Sequence, residues 1–376
     1  MSETIFWVSL IFIVYTYFIY PVLIWLLSQT RSVSKIDITD DFEYPKLSIV
    51  IPVYNEKNNI EEKIKNIKSL DYPKNKIEII LVSDGSDDGT QKIFNNDDRV
   101  TFLSYEKRQG KPSALNFAVK HVATDIIVFT DIRQAIDKYA VKFLVKRLMI
   151  PGVGAVSGEL CHKPSKSNIG KNVGLYWLYE KWIRKSESRF NSTAGVTGAL
   201  YAIHTSDYVP LNKDTLLDDF EVPIQLVKNK QRVVLESQAK IYDTSQEDIA
   251  GEKKRKIRTL TGNFQSFLWN KWLFNPFKNP IIFQFLSHKL FRLIVPYTML
   301  LTLVSSFYSD GFFYVIIFWC QVLFYMLGII GMNAIKFKNY KIISIIVVFL
   351  ELNISAVLAL NEFLRGKVKV QWDKTS

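Results

Sequence analysis

With 376 residues and 48% hydrophobic composition, the chain can bury a sizeable core, and length alone allows roughly one to three domains. The formal charge of +12 calls for an anionic partner, which could be nucleic acid, an anionic membrane surface or an anionic substrate. The first is set aside, because no helix-turn-helix, zinc-finger or RNA-binding signature appears and many basic residues lie beside long apolar runs. Cys161 and Cys320 stand in unlike surroundings. They form no disulfide framework or metal cluster, which assigns the main domain to a reducing cytosolic face.

In chain order, Ile5 to Leu27 is nearly continuous apolar and aromatic sequence, long enough to cross a hydrocarbon core of about 30 Å. A cleaved signal peptide would need a positive leading region and a small-residue cleavage site, and neither is present. Arg31 and Lys35 follow the segment while nothing basic precedes it, so the amino terminus is expected outside and the next domain in the cytoplasm.

From about Pro45 to Asp248 short β-rich runs alternate with amphipathic stretches. Leu47 to Val53, Ile77 to Val82, Val100 to Ser104 and Ile126 to Thr130 are predicted strands. Asn58 to Ser69, Thr90 to Asn95, Pro112 to Val122 and Tyr139 to Met149 are predicted helices. This alternation predicts a doubly wound, Rossmann-like α/β sheet. No G-x-G-x-x-G follows the first strand, where IPVYNE stands instead, so a nicotinamide cofactor is disfavoured. The acidic, glycine-bearing turn SDGSDDGT (Ser83 to Thr90) lies at the carboxyl end of the second strand, the edge at which such sheets bind nucleotides. A solvated turn is the plainer reading of that stretch.

Asn263 to Asn279 mixes Phe and Trp with Lys and Asn, as in a helix lying in a membrane interface, although a buried core helix would have a similar pattern. Apolar segments follow at Phe291 to Phe307, Phe312 to Asn333 and Ile342 to Leu360, the first two closing outside at Ser309 to Gly311. Glu351, Asn353, Asn361 and Glu362 interrupt the third region. Lys336, Lys338 and Lys341 before it, and Arg365, Lys367 and Lys369 after it, mark both flanks as cytoplasmic. A re-entrant or in-plane last segment is therefore expected.

Five motifs stand in fixed order: IPVYNE (Ile51 to Glu56), SDGSDDGT, RQGKPSALN (Arg108 to Asn116), FTDIRQ (Phe129 to Gln134) and LLDDF (Leu216 to Phe220). In these motifs and their membrane framing the chain resembles the membrane-bound family 2 glycosyltransferases, whose inverting A-type fold is shared with cellulose, hyaluronan and poly-N-acetylglucosamine synthases. The likeness runs from the first membrane segment to the tail.

The resemblance implies that Glu56 and Asp84 surround the ribose and base, where carboxylates accept hydrogen bonds from hydroxyl and N–H groups; helix or turn capping is the alternative. Lys111 would approach the nucleotide or its phosphates as a compact cation, assisted by Arg108, with Gly110 allowing close backbone approach. Asp131 matches the first aspartate of a D-x-D metal motif and would hold Mg²⁺ or Mn²⁺ against the diphosphate. The second acidic position is Arg133, which weakens that expectation and leaves this side chain to contact phosphate or pair with Asp131. Asp219 matches the family's general base, with Asp218 beside it raising the pair's proton affinity and Glu221 extending the acidic cluster; a helix cap is the alternative. Gly198, in VTGALYAI (Val196 to Ile203), matches the segment under the donor sugar and acceptor.

The stretch EKKRKIRTLTGN (Glu252 to Asn263) stands where processive synthases have Q-x-x-R-W. Arg258 is retained and would bind diphosphate, with Arg255 in the same acceptor and diphosphate region. The tryptophan is replaced by Thr259, so polymerisation loses its usual stacking residue, and a membrane-surface patch is the alternative.

The expected domains are an N-terminal transmembrane helix (1–30), a cytoplasmic glycosyltransferase domain (38–260), an interfacial amphipathic helix (261–285) and a C-terminal transmembrane region (286–376). The expected activity, in the cell membrane, is inverting transfer from a UDP-sugar to a growing polysaccharide or glycan acceptor. One alternative is a non-processive transferase acting on a polyprenyl-phosphate acceptor. Another is a catalytically silent component that binds nucleotide-sugar without turnover. Expected partners are the nucleotide-sugar, the acceptor, membrane lipids and other polysaccharide-synthesis subunits.

Overall fold

The computed structural model describes residues 1–32, 36–38, 42–90, 99–162, 168–243, 249–334 and 340–366. Its centre is an eight-stranded sheet. β1 (Leu47–Val53), β2 (Ile77–Asp84), β3 (Val100–Tyr105) and β4 (Ile126–Thr130) are joined in the order β3-β2-β1-β4, all parallel. β1 is buried along its whole length, as an unbroken apolar run must be when helices cover both faces of a parallel sheet. α2 (Lys57–Lys68) and α4 (Ala140–Leu148) pack on one face, and α3 (Lys111–Val119) packs on the other. Of the predicted helix at Thr90 to Asn95, all but Thr90 lies outside the described residues.

The sheet then departs from a purely doubly wound pattern. β7 (Leu200–His204) runs antiparallel to β4, followed outward by β6 (Val153–His162), β8 (Arg232–Asp243) and the short β5 (Ala135–Ile136). The register sets Thr130 opposite Leu200. Residues 198–199 are therefore carried up against the end of β4, and the Asp131 N–H donates to Ala199 O at 3.3 Å.

Among the described residues four helices are long and apolar enough to cross a membrane: α1 (Ser2–Gln29), α8 (Ile282–Phe307), α9 (Phe312–Asn333) and α10 (Lys341–Leu364). α1 and α8 each contain a π-helical turn, at Tyr15–Ile19 and Phe285–Leu290. The two turns meet where Tyr15 Oη and Ser287 Oγ lie 2.8 Å apart. In α9, Cβ atoms built at Gly328 and Gly331 would collide with Leu350 and Val347, so small residues are what let α10 approach this closely.

A polar knot joins these helices to α5 (Asn168–Phe190). Tyr20 Oη donates to Glu187 Oε1 at 2.6 Å. The His288 ring lies between Glu187 (Nδ1 to Oε1, 2.7 Å) and Glu180 (Nε2 to Oε2, 3.0 Å). Arg292 pairs with Glu180.

The structure corrects one expected helix. The helix predicted over Asn263 to Asn279 instead begins at Ile249 and ends at Trp269 (α7), followed by a short 3₁₀ turn at Lys271–Phe274. The basic run is therefore helical. Pro276 and Pro280 keep the residues before them, Asn275 and Asn279, out of helix. The last apolar segment is one unbroken helix, in which Asn353 donates to Phe349 O at 2.9 Å and Ser355 to Glu351 O at 2.6 Å. Its last turns meet α7, where Thr261 Oγ1 lies 3.4 Å from Ala359 O and Phe264 stacks on Phe363.

Candidate active site

The expected residues converge at the carboxyl ends of β1, β2 and β4 and at the start of α6 (Asp218–Lys228). Asp84 is fully buried at the end of β2. Its Oδ1 accepts from Gln109 N (2.7 Å), Gly110 N (3.0 Å) and Tyr105 Oη (2.7 Å), and its Oδ2 from Gly110 N (2.9 Å). A backbone loop is thus tied to the acidic turn. Gly85 has φ +66°, and a Cβ there would come within 2.6 Å of Arg108 N, so this turn needs glycine for both conformation and space. The Arg108 guanidinium lies 3.7 Å from the centroid of the Tyr54 ring.

Gly110 caps the amino terminus of α3, and the first residue of that helix, Lys111, reaches into the centre of the site. Its Nζ lies 3.2 Å from Asp131 Oδ1 and 3.0 Å from Asp218 Oδ2. One ammonium therefore joins the candidate metal ligand to the candidate base region. Burial alone would lower the Lys111 pKa, but Asp131, Asp218 and Asp219 together hold it well above the usual lysine value.

Asp219 follows on the same helical turn and packs on the segment before β7. Its backbone carbonyl accepts from Val196 N at 3.0 Å, and a Cβ built on Gly198 would lie 3.3 Å from its Oδ2. Burial and then the Asp218 charge push the Asp219 carboxyl up to about 6, with Lys111 and Lys289 opposing. Glu221, on the far side of α6, accepts both Asn270 Nδ2 contacts at 3.1 and 3.0 Å and is likewise raised by burial.

Arg133 pairs with Glu56, not with Asp131: its Nε and NH2 lie 2.9 and 2.8 Å from Glu56 Oε1. The two carboxylates expected around the nucleoside, Glu56 and Asp84, thus both engage protein partners. Arg255 is exposed on α7 and Arg258 is half-buried one turn before Gly262. A Cβ at Gly262 would lie 2.5 Å from Leu217 Cγ, so α7 rests directly on the segment preceding the two aspartates.

Among the described residues no cluster of three or more His, Cys, Asp or Glu could hold a metal by itself. Asp131, 39% exposed at its side chain, presents one carboxylate. That suffices for Mg²⁺ or Mn²⁺ only when substrate phosphates and water complete the coordination.

Several participants went unassigned in the sequence: Tyr54 beneath Arg108, Lys63 beneath the Asp131 turn, and Lys289, supplied by a membrane helix. Only Lys63 left a clear signal, being a lysine on the apolar stripe of Ile60 and Ile67. The other two contacts join segments far apart in the chain.

Residues 48–205 match the model of a family described as glycosyl transferase family 2. Curated relatives include poly-beta-1,6-N-acetyl-D-glucosamine synthase of Staphylococcus aureus, 26% identical over 243 residues, which are 62% of this chain and 58% of the relative. The synthase of the same name from Staphylococcus epidermidis is 26% identical over 234 residues, 60% of this chain and 56% of its own length. The match thus spans less than two thirds of either relative. Among solved structures, the mannosyltransferase PcManGT from Pyrobaculum calidifontis, in complex with GDP-Man and Mn²⁺, aligns over 98% of this chain and 100% of its own. The TM-score is 0.73 and the identity 21%, a likeness of fold.

Proposed function

We propose, for a chain whose residues 48–205 match the glycosyl transferase family 2 model, that the protein transfers a sugar from a nucleotide-sugar, a UDP-sugar in the first instance, to a glycan acceptor at the cytoplasmic membrane face. The observation that carries this reading is the Lys111 bridge from Asp131 to Asp218, with Asp219 seated on Gly198. Donor-side and acceptor-side carboxylates are brought to one point beneath a nucleotide-binding sheet edge.

The donor's nucleoside would lie by Tyr54, Arg108 and the acidic turn, with its diphosphate toward Lys111 and Asp131. A divalent ion held by Asp131 and the diphosphate would neutralise charge on the leaving group. Lys111 adds a fixed cation at the same place, paired with Asp218. Asp219 accepts the proton of the acceptor hydroxyl as that oxygen attacks the anomeric carbon from the face opposite the leaving nucleoside diphosphate, which inverts the configuration. A carboxylate titrating near 6 suits a base working near neutrality, and such assistance contributes about 10²–10⁴-fold.

A second acceptor class has one observation in its favour. Position 259 is an exposed threonine on α7, where processive synthases carry a stacking tryptophan, so addition of a single sugar to a lipid-linked acceptor would need no further residue.

The test is release of nucleoside diphosphate by membranes carrying the protein, across a panel of nucleotide-sugars with Mg²⁺ or Mn²⁺. Release should depend on one donor and be lost in Asp219→Asn, with donor binding retained. Product size and extraction into organic solvent then separate polymer from single addition. Transfer that survives Asp219→Asn would overturn the assignment of the base.

A further inference from the structure

Lys63 is 2% exposed, inside the apolar face that α2 turns to the sheet. Packing alone does not ask for an ammonium there, since burying a charge is unfavourable unless something compensates it. Its Nζ donates to Thr130 Oγ1 at 3.0 Å and to Gln134 O at 2.6 Å. These two neutral acceptors bracket the segment carrying Asp131, whose charge only partly opposes the burial that lowers the Lys63 ammonium to about 7. Thr130 Oγ1 continues the chain to Ala199 O at 2.8 Å, the same carbonyl that accepts from Asp131 N. Gly198, the next residue, lies under Asp219. Lys63 thus braces from below the turn that links the donor-side carboxylate to the floor of the base. Arg133, where a second carboxylate would stand, is drawn aside to Glu56.

We infer that Lys63 is a positioning residue for the donor diphosphate, acting through Asp131: its two hydrogen bonds fix the Thr130–Gln134 turn that carries the carboxylate. This rests on the donor site proposed above. Lys63 therefore need not touch the ligand to strengthen its binding.

The test uses the full chain in lipid nanodiscs as wild type, Lys63→Met and Lys63→Arg. Calorimetric binding of UDP and of GDP, each with and without Mn²⁺, is measured alongside thermal unfolding. Lys63→Met should weaken binding of the preferred nucleotide about 10–100-fold, as loss of an outer support typically does. Its unfolding midpoint should fall only slightly, because relief of the buried ammonium offsets part of the loss of the donor to Gln134 O. Lys63→Arg should recover part of the affinity. Binding by Lys63→Met equal to wild type would overturn the inference while leaving the donor site intact. So would an affinity lost only in step with a lowered unfolding midpoint. A wild-type protein that binds neither nucleotide would overturn the donor site and the inference together.

Discussion

Gly198 stands so close beneath Asp219 that an added Cβ would lie 3.3 Å from the carboxylate oxygen and 3.4 Å from the Asp219 Cβ. That contact is tight enough to shift the carboxylate by a few tenths of an ångström without unfolding the segment. Gly198→Ala is expected to lower kcat for sugar transfer by about 10-fold, since misplacement of a reacting group by 1 Å can cost about 10²-fold. Nucleotide affinity should stay unchanged. Gly198→Val should abolish transfer. Steady-state kinetics with a separate nucleotide-binding measurement checks both.

The pH profile should follow Asp219. Its carboxyl is raised to about 6, and a base works only when ionised, so kcat/KM should rise with pH and pass half-maximum near 6. Lys289 is among the cations that hold this value down. Removing its charge in Lys289→Met should therefore raise the Asp219 pKa and move the ascending limb to higher pH. A limb that stayed in place would show that Asp219 does not titrate there.

Glu56 and Arg133 form a pair that is 8% and 26% exposed at the side chains. Arg133→Met leaves the carboxylate without its main cation and should destabilise the protein by about 1–3 kcal/mol, the cost of an unsatisfied buried polar group. Glu56→Gln in the same background should restore part of this, giving a non-additive cycle. Thermal or chemical unfolding in detergent reads it directly.

In the membrane region, Cβ atoms at Gly331 would approach Val347 Cγ2 and Ile343 Cγ2 to 2.6 and 2.7 Å. Gly331→Leu should force α9 and α10 apart and destabilise them by about 1–3 kcal/mol, the usual range for overpacking. The lowered unfolding midpoint should be accompanied by little change in nucleotide affinity.

The nucleotide half was legible because its strands are unbroken apolar runs ending in turn residues. Leu47 to Val53 and Ile126 to Thr130 were predicted to the residue, and IPVYNE and SDGSDDGT lie at the strand ends where they were expected. The other half was not. β6 and β8 contain Gly154, Gly158, Glu236 and Lys240 within them, β7 is only five residues long, and their pairing is antiparallel or distant in the chain, so periodicity gave no boundary. The start of α7 was hidden because its first turns are polar and basic and show no apolar stripe. At the site, residue types could be placed but partners could not. Arg133 meets Glu56 across 77 positions of sequence, and the engagement of Asp84 with residues 109 and 110 follows from how a loop folds back.

The knot of Tyr20, Glu187, His288, Glu180 and Arg292 bears on how the protein can be divided. Cutting the chain after α1 would strip Glu187 of its phenol partner and remove Tyr20 and Ile24 from their seat on Ile183. Cutting before α8 would take His288 and Arg292 away from Glu180 and Glu187. The first helix is therefore no leash on a self-sufficient enzyme. The apolar helices and the body around α5 share one hydrogen-bonded network, and an excision of residues 38–260 would lose the phenol, imidazole and guanidinium that meet Glu180 and Glu187.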